Sequence, residues 1–305
     1  MSNPQIPTPP EPALDQSFVD RNGISPIVFA VVCLGVIFLM YFVGSVGVML
    51  IAGSSVTRDN VFLHRLLTLV GHLLFFLLPV LFCARLLTGK MSELFPWRIP
   101  SFRETFFGLI GLFWLQQIFQ IYLFFQDRIP LPDELRQLIE PIKQTIETTL
   151  KEMVRAESLP ELVFVVLVVA IVPAIVEEML FRGFVQGSFQ RRLEPLRAAI
   201  YAGVVFGLFH LNPFAIIPLI GLGCYFGFLR LRSNSIVIAM TAHFLNNSLA
   251  VLAVYFGMDD DAILGSATGI EPTTGAVLAQ LVIYLLLFFV SFTAYLRVTQ
   301  ADQPS

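Results

Sequence analysis

Charge is what this sequence has little of. Only 13% of its 305 residues are Asp, Glu, Lys or Arg, about half the roughly 25% usual in soluble domains, while 56% are hydrophobic. A soluble enzyme is thereby excluded, and the apolar residues fall in runs near the ~20 needed to cross a bilayer. Basic residues show no stripe that could follow a phosphate backbone: 19 Lys and Arg face 22 Asp and Glu for a net charge of −3. Nucleic acid is excluded as a partner. Cysteine is limited to Cys33, Cys83 and Cys224, each inside an apolar run and without close metal-type or redox spacing, so they read as small buried hydrophobes. No HExxH is present, which leaves a zincin-type site without support. The first 25 residues lack a basic n-region, and the polar Ala301–Ser305 end carries no lipidation signal.

What is there is a series of apolar runs. Residues 1–25, with Pro4, Pro7, Pro9, Pro10 and Pro12, read as a flexible tail that cannot bury a core. From Ser25 to Thr57 there is no charged residue, too long for a signal h-region and long enough for a spanning helix. Further runs follow at 66–87, 104–125, 160–189, 197–212, 213–229, 235–257 and 275–296, separated by charged or Pro/Gly-bearing joints. The expectation is an all-α polytopic membrane bundle of about eight transmembrane helices, with 197–212 the shortest. With the N-terminus inside, eleven Lys and Arg fall on the cytoplasmic side and seven opposite, five of these in 126–159. That asymmetry places both termini in the cytoplasm.

Residues 133–157 add one amphipathic helix. Leu135, Leu138, Ile139, Ile142, Ile146, Leu150, Met153 and Val154 recur at steps of three and four, a pattern suited to the membrane interface, with Pro141 expected to kink it or mark its first turn. The chain thus divides into the tail, N-terminal spans over 26–132, the interfacial helix 133–157, a polar-bearing membrane core over 158–257, and 258–305 with an acidic loop, the last span and a short end.

Ionisable groups inside apolar runs cost roughly 2.5–3.5 kcal/mol each on insertion scales, so the few present need a reason. Ser158-Leu159-Pro160-Glu161 has capping-box spacing and opens a run that meets Glu177, Glu178 and Arg182 before Gly183. Glu178 and Arg182 are four apart with the acid first, the favourable order for a pair on one face. Glu177 points about 100° away and has Phe181 at its i+4 position, which leaves it available as a base. His210 and His243 also lie within apolar runs, and Asn247 shares a helix face with His243. His64 and His72, near the start of the second run, read as interface residues. Counting along the helices puts Glu177, His210 and His243 roughly 21, 20 and 17 Å from Arg191, Arg197 and Arg232, deep enough to meet in one cavity. A carboxylate and imidazoles on one water can deprotonate it, and a histidine with an asparagine amide can stabilise an oxyanion. The set Glu177, His210 and His243 is equally a candidate for holding a divalent metal such as zinc.

Taken together, Glu177-Glu178-x-x-x-Arg182, Phe206-x-x-x-His210 and His243-x-x-x-Asn247, in that order on successive apolar helices, resemble the CPBP family of intramembrane endopeptidases. That family includes the type II CAAX prenyl endopeptidases and bacteriocin-processing or immunity proteins. The resemblance covers 160–257. It implies a membrane-embedded protease in which Glu177 activates water, His210 helps hold it, His243 and Asn247 form the oxyanion site, and Glu178 and Arg182 fill the remaining polar positions, by metallo- or glutamate-type chemistry. Its substrate would be a membrane-associated protein or peptide, and its location the cell inner or plasma membrane. Two other classes compete: a non-catalytic immunity-type binding protein, and a proton-coupled transporter, although no inverted repeat is evident.

Overall fold

The computed structural model describes residues 17–258 and 273–301; the acidic loop, the Pro-rich residues 1–16 and the last four residues lie outside the described residues. Among the described residues every element is a helix. In chain order they are α1 (Phe18–Arg21), α2 (Pro26–Ala52), α3 (Val61–Leu87), α4 (Met91–Leu94) and α5 (Phe102–Gln126). Then come α6 (Asp133–Val154), α7 (Leu159–Gln190), α8 (Pro195–Phe209), α9 (Ile216–Ser233), α10 (Ile236–Tyr255) and α11 (Thr274–Ala301). Residues 17–25, read from composition as part of a flexible tail, are instead ordered: Ser17 caps α1 and Val19 is fully buried.

Among the described residues seven helices, α2, α3, α5, α7, α9, α10 and α11, are long and apolar enough to cross a membrane, one fewer than the eight runs suggest. The difference is α8, whose 15 residues reach only about 22 Å at 1.5 Å per residue, short of the ~30 Å hydrocarbon core. The helices are apolar on their outer faces as well as inside: Leu50, Phe82, Leu286 and Phe289 are all exposed, the arrangement of a protein solvated by lipid. The chain is an integral membrane protein.

Instead of crossing alone, α8 forms a hairpin with α9, the most extensively packed pair of elements in the molecule. Small residues allow this closeness. A Cβ on Gly203 would lie 2.7 Å from Cys224 Cα, one on Gly207 2.7 Å from Ile220 N, and one on Gly223 2.5 Å from Gly203 O. Membrane helices associate through such small-residue contacts because lipid leaves no hydrophobic drive to pull them together. Replacing Gly203 with valine should therefore cost about 1–3 kcal/mol by overpacking, seen as a lower thermal midpoint in detergent. An unchanged midpoint would show that the hairpin tolerates separation.

The main core is built where α2, α3, α7, α8 and α10 meet, around Ile37, Phe76, Leu180, Phe181, Phe184 and Phe206. A second cluster joins α5, α9, α10 and α11 through Leu112, Tyr225, Leu229 and Tyr295, with Tyr225 Oη donating to Gly108 O at 2.8 Å and Tyr295 Oη to Leu229 O at 2.9 Å. The helix starts follow local rules. Ser101 and Glu104 form a complete capping box at α5. At α7 the box is half made: Ser158 Oγ accepts from Glu161 N, but the Glu161 carboxylate goes to Glu157 N and to Arg58 and Arg65.

Arg65, 1% exposed, ties three elements together. Its guanidinium meets Glu161 at 2.7 Å and donates to the carbonyls of Met153, Glu152 and Arg155 at 3.0, 2.9 and 2.5 Å. Those carbonyls at the end of α6 have no helical partners, and a cation there also meets the negative end of the helix dipole. The body of α6 contains no buried residue, and Leu135, Leu138, Ile142 and Leu150 are exposed. Pro141 sits inside the helix and does not start it.

Candidate active site

The site is assembled on α7 and closed by α3, α8 and α10. Two prolines shape its walls. Pro79 in α3 and Pro173 in α7 lack the N–H that would bond the carbonyl four residues earlier, and each ring crowds that carbonyl. Each is preceded by a widened π-helical segment, His72–Leu77 and Val166–Ile171. A third such segment, Met179–Val185, carries Arg182. Turns of this kind rotate the side chains after them relative to an ideal helix, and they recur at functional sites.

Glu178 and Arg182, read from spacing as a pair, are both fully buried, with Glu178 Oε2 3.0 Å from Arg182 Nε. The contact is an ion pair without hydrogen-bond alignment. Of its other donors, Nη2 bonds Gly223 O at 3.1 Å, Nη1 is buried without a hydrogen-bond partner among the described residues, and Cζ lies 4.5 Å from the Phe206 ring centroid and 5.4 Å from that of Phe226, where a cation is attracted to the ring faces. The second oxygen of Glu178 accepts from His243 Nδ1 at 2.8 Å, while the His243 ring stacks on Phe226. Glu178 thus positions both a cation and an imidazole.

Glu177 faces a different set. Its Oε2 is buried without a hydrogen-bond partner among the described residues and lies 3.8 Å from His210 Nε2. His210 stands at the end of α8, where the chain reverses through Leu211 at φ 51°, a left-handed conformation costly for a branched residue. Its Nδ1 is 2.8 Å from Phe206 O. A carbonyl only accepts, so Nδ1 carries a proton, and when the ring is neutral Nε2 presents its lone pair to Glu177. The side chains of His210 and Glu177 are 29% and 15% exposed.

Asn247 donates from Nδ2 to Val169 O at 2.9 Å and accepts from Asn246 Nδ2 at 3.0 Å; Asn246 Oδ1 in turn accepts from Gln116 at 2.6 Å. Val169 O is the carbonyl that Pro173 leaves without its helical donor, so Asn247 repairs the break. One of its two amide hydrogens is committed to that bond and the other is left for a ligand. Asn247→Ala should cost about 1 kcal/mol, in the range of inter-helix hydrogen bonds in membranes, read as a lower thermal midpoint; no change would mean the Val169 carbonyl finds another donor.

These six residues, Glu177, Glu178, Arg182, His210, His243 and Asn247, all fall within residues 159–249, which match the family model described as type II CAAX prenyl endopeptidase Rce1-like. Over this stretch the chain is similar to the CAAX protease family. The CAAX-protease segment covers under a third of the chain. Neither a curated protein nor a solved structure matches.

The metal alternative fares differently. Among the described residues no group of three or more His, Cys, Asp or Glu is placed to hold a metal ion. In the trio Glu177, His210 and His243, the third is turned by its Nδ1 onto Glu178, and His210 stands 3.8 Å from Glu177. The trio as placed does not fit a metal.

One residue at the site was assigned elsewhere by the sequence. His72, placed at the interface by its nearness to the start of a run, is buried, with Nε2 3.8 Å from Glu177 Oε1. The signal was available: thirteen residues separate it from Arg85, or about 20 Å of helix, the same depth as the other polar groups.

Proposed function

We propose that this chain is a membrane-embedded endopeptidase that uses Glu177 as the base for water. The observation that carries the reading is the Glu177 carboxylate, buried among apolar helices, with an oxygen that has no hydrogen-bond partner 3.8 Å from the Nε2 of an imidazole. Two acceptors at that spacing are satisfied together by an O–H donor between them. In the proposed step the water oxygen bonds to the carbonyl carbon of the scissile peptide as its proton passes to Glu177, and the carbonyl electrons move onto oxygen. Collapse of this tetrahedral species breaks the C–N bond, and Glu177 returns the proton to the leaving nitrogen. The oxyanion is held by the free amide hydrogen of Asn247 and, when both ring nitrogens are protonated, by His243 Nε2–H, with Nδ1–H kept on Glu178.

A membrane-anchored substrate suits the surroundings. A cavity of about 450 Å³ lies between α2 and α3, walled by Tyr41, Gly44, Val48, Thr68, Gly71 and Phe75, next to His72 on the same helix. Its lining is mostly apolar, as a lipid-like anchor requires. The exposed apolar face of α6 lies in the interface in this reading, and the α8–α9 hairpin returns the chain to the side it left, so that both termini are cytoplasmic.

The test is cleavage of a panel of membrane-tethered peptides, with and without prenyl groups, by purified protein in liposomes. Turnover that persists with 1,10-phenanthroline is the expected result. Partner binding without cleavage of any peptide would favour the immunity-type reading, and ion or solute flux dependent on Glu177 would favour a transporter.

A further inference from the structure

His72 lies on α3, outside the stretch that matches the protease family. It nevertheless meets the same carboxylate as His210, and in the same way. Each imidazole places Nδ1 against the carbonyl four residues earlier, Thr68 O at 2.9 Å for His72 and Phe206 O at 2.8 Å for His210. Each therefore carries a proton on Nδ1 and, as a neutral ring, turns the Nε2 lone pair outward. Each Nε2 then stands 3.8 Å from one oxygen of Glu177, His72 at Oε1 and His210 at Oε2.

The orientation of the His72 ring is over-determined. It stacks on Phe76 with an interplanar angle of 16° and meets the edge of Tyr41, and it opens the π-helical segment of α3. A histidine with only a packing role would satisfy Nδ1 on Thr68 and leave Nε2 to apolar surroundings or lipid. Here Nε2 is instead directed at a carboxylate, a contact that is favourable when a proton lies between them, carried by a bridging O–H donor or by Nε2 itself in the imidazolium. The ring is thus built to hold that carboxylate through a shared proton.

We propose that His72 is a positioning residue for Glu177: together with His210 it grips the carboxylate from both oxygens and fixes the plane in which the base faces its water. The proposal rests on the endopeptidase reading for its kinetic consequence but not for its geometry. A base misplaced by about 1 Å can lose a hundredfold in rate.

The test compares His72→Asn with His72→Gln. Asparagine keeps a donor near the Nδ1 position for Thr68 O but removes the Nε2 atom; glutamine restores a polar atom near Nε2. His72→Asn should lower kcat by about a hundredfold with KM and thermal midpoint near wild type, and His72→Gln should recover a large part of the loss. Wild-type kcat in His72→Asn would overturn the proposal. So would equal losses in both variants that track a lowered midpoint, because a purely structural role predicts that pattern. A second readout needs no substrate. With only four histidines in the chain, ¹⁵N spectra of histidine-labelled protein in micelles can be assigned by single replacements, and Glu177→Gln should shift the Nε2 signals of both His72 and His210. A His72 signal that does not respond overturns the proposal. If Glu177→Gln itself still cleaves, the endopeptidase mechanism fails and the spectra alone decide the placement of His72.

Discussion

Glu177→Gln is expected to abolish cleavage while leaving the protein folded. Glutamine has the size of glutamate and keeps polar atoms facing His72 and His210, so the packing around α7 is undisturbed. It cannot take a proton from water, and loss of a general base is worth about 10²–10⁴ in rate. Stability should hold or rise, because a carboxylate with an unpartnered buried oxygen is a cost in an apolar setting. The measurement is kcat on the best peptide of the panel together with the thermal midpoint in the same detergent. Undiminished kcat would remove Glu177 from the reaction, and the case for hydrolysis by this site would go with it. Reduced kcat with a collapsed midpoint would place Glu177 among the structural residues.

The second large effect falls one residue away and is of another kind. Glu178→Ala should destabilise the protein by about 3–5 kcal/mol, the range found when one partner of a buried ion pair is removed. Arg182 is 0% exposed and would keep the Gly223 carbonyl and the faces of Phe181, Phe206 and Phe226, none of them an anion. Because the Nε–Oε2 contact is close but not aligned as a hydrogen bond, the loss is one of charge compensation, and a neutral acceptor in its place would not repair it. His243 would lose its Nδ1 acceptor at the same time. Replacing both partners, Glu178→Leu with Arg182→Leu, should restore much of the midpoint without restoring cleavage, since His243 remains unanchored. A near-normal midpoint for Glu178→Ala alone would contradict this division of labour between adjacent glutamates.

That division was legible in the sequence because it rests on helical geometry within one segment: the i,i+4 relation of Glu178 to Arg182 is local, and the structure shows that pair in contact. The partner of Glu178 on another helix was not legible. His243 shares a depth with Glu177 by counting, yet its Nδ1 is bound to Glu178, since depth says nothing of how a helix is rotated about its axis. His72 shows the complementary gap. Its depth matched, but nearness to a run's start suggested the interface, and only the packing of α3 against α7, with Tyr41 and Phe76 around the ring, turns it inward.

By itself the sequence determines that this protein lives in a membrane, that it is built of helices, and which segment carries the polar residues. Those features depend on run length, scarcity of charge and short-range spacing, all properties of the chain read one stretch at a time. Tertiary structure decided that α8 is a short arm of a hairpin, because Gly203, Gly207 and Gly223 let it lie against α9, and that Asn247 closes the gap left by Pro173 on a different helix. It also decided which imidazoles face which carboxylate. These outcomes are set by rotation and close approach between helices, and they arise only when several helices pack at once.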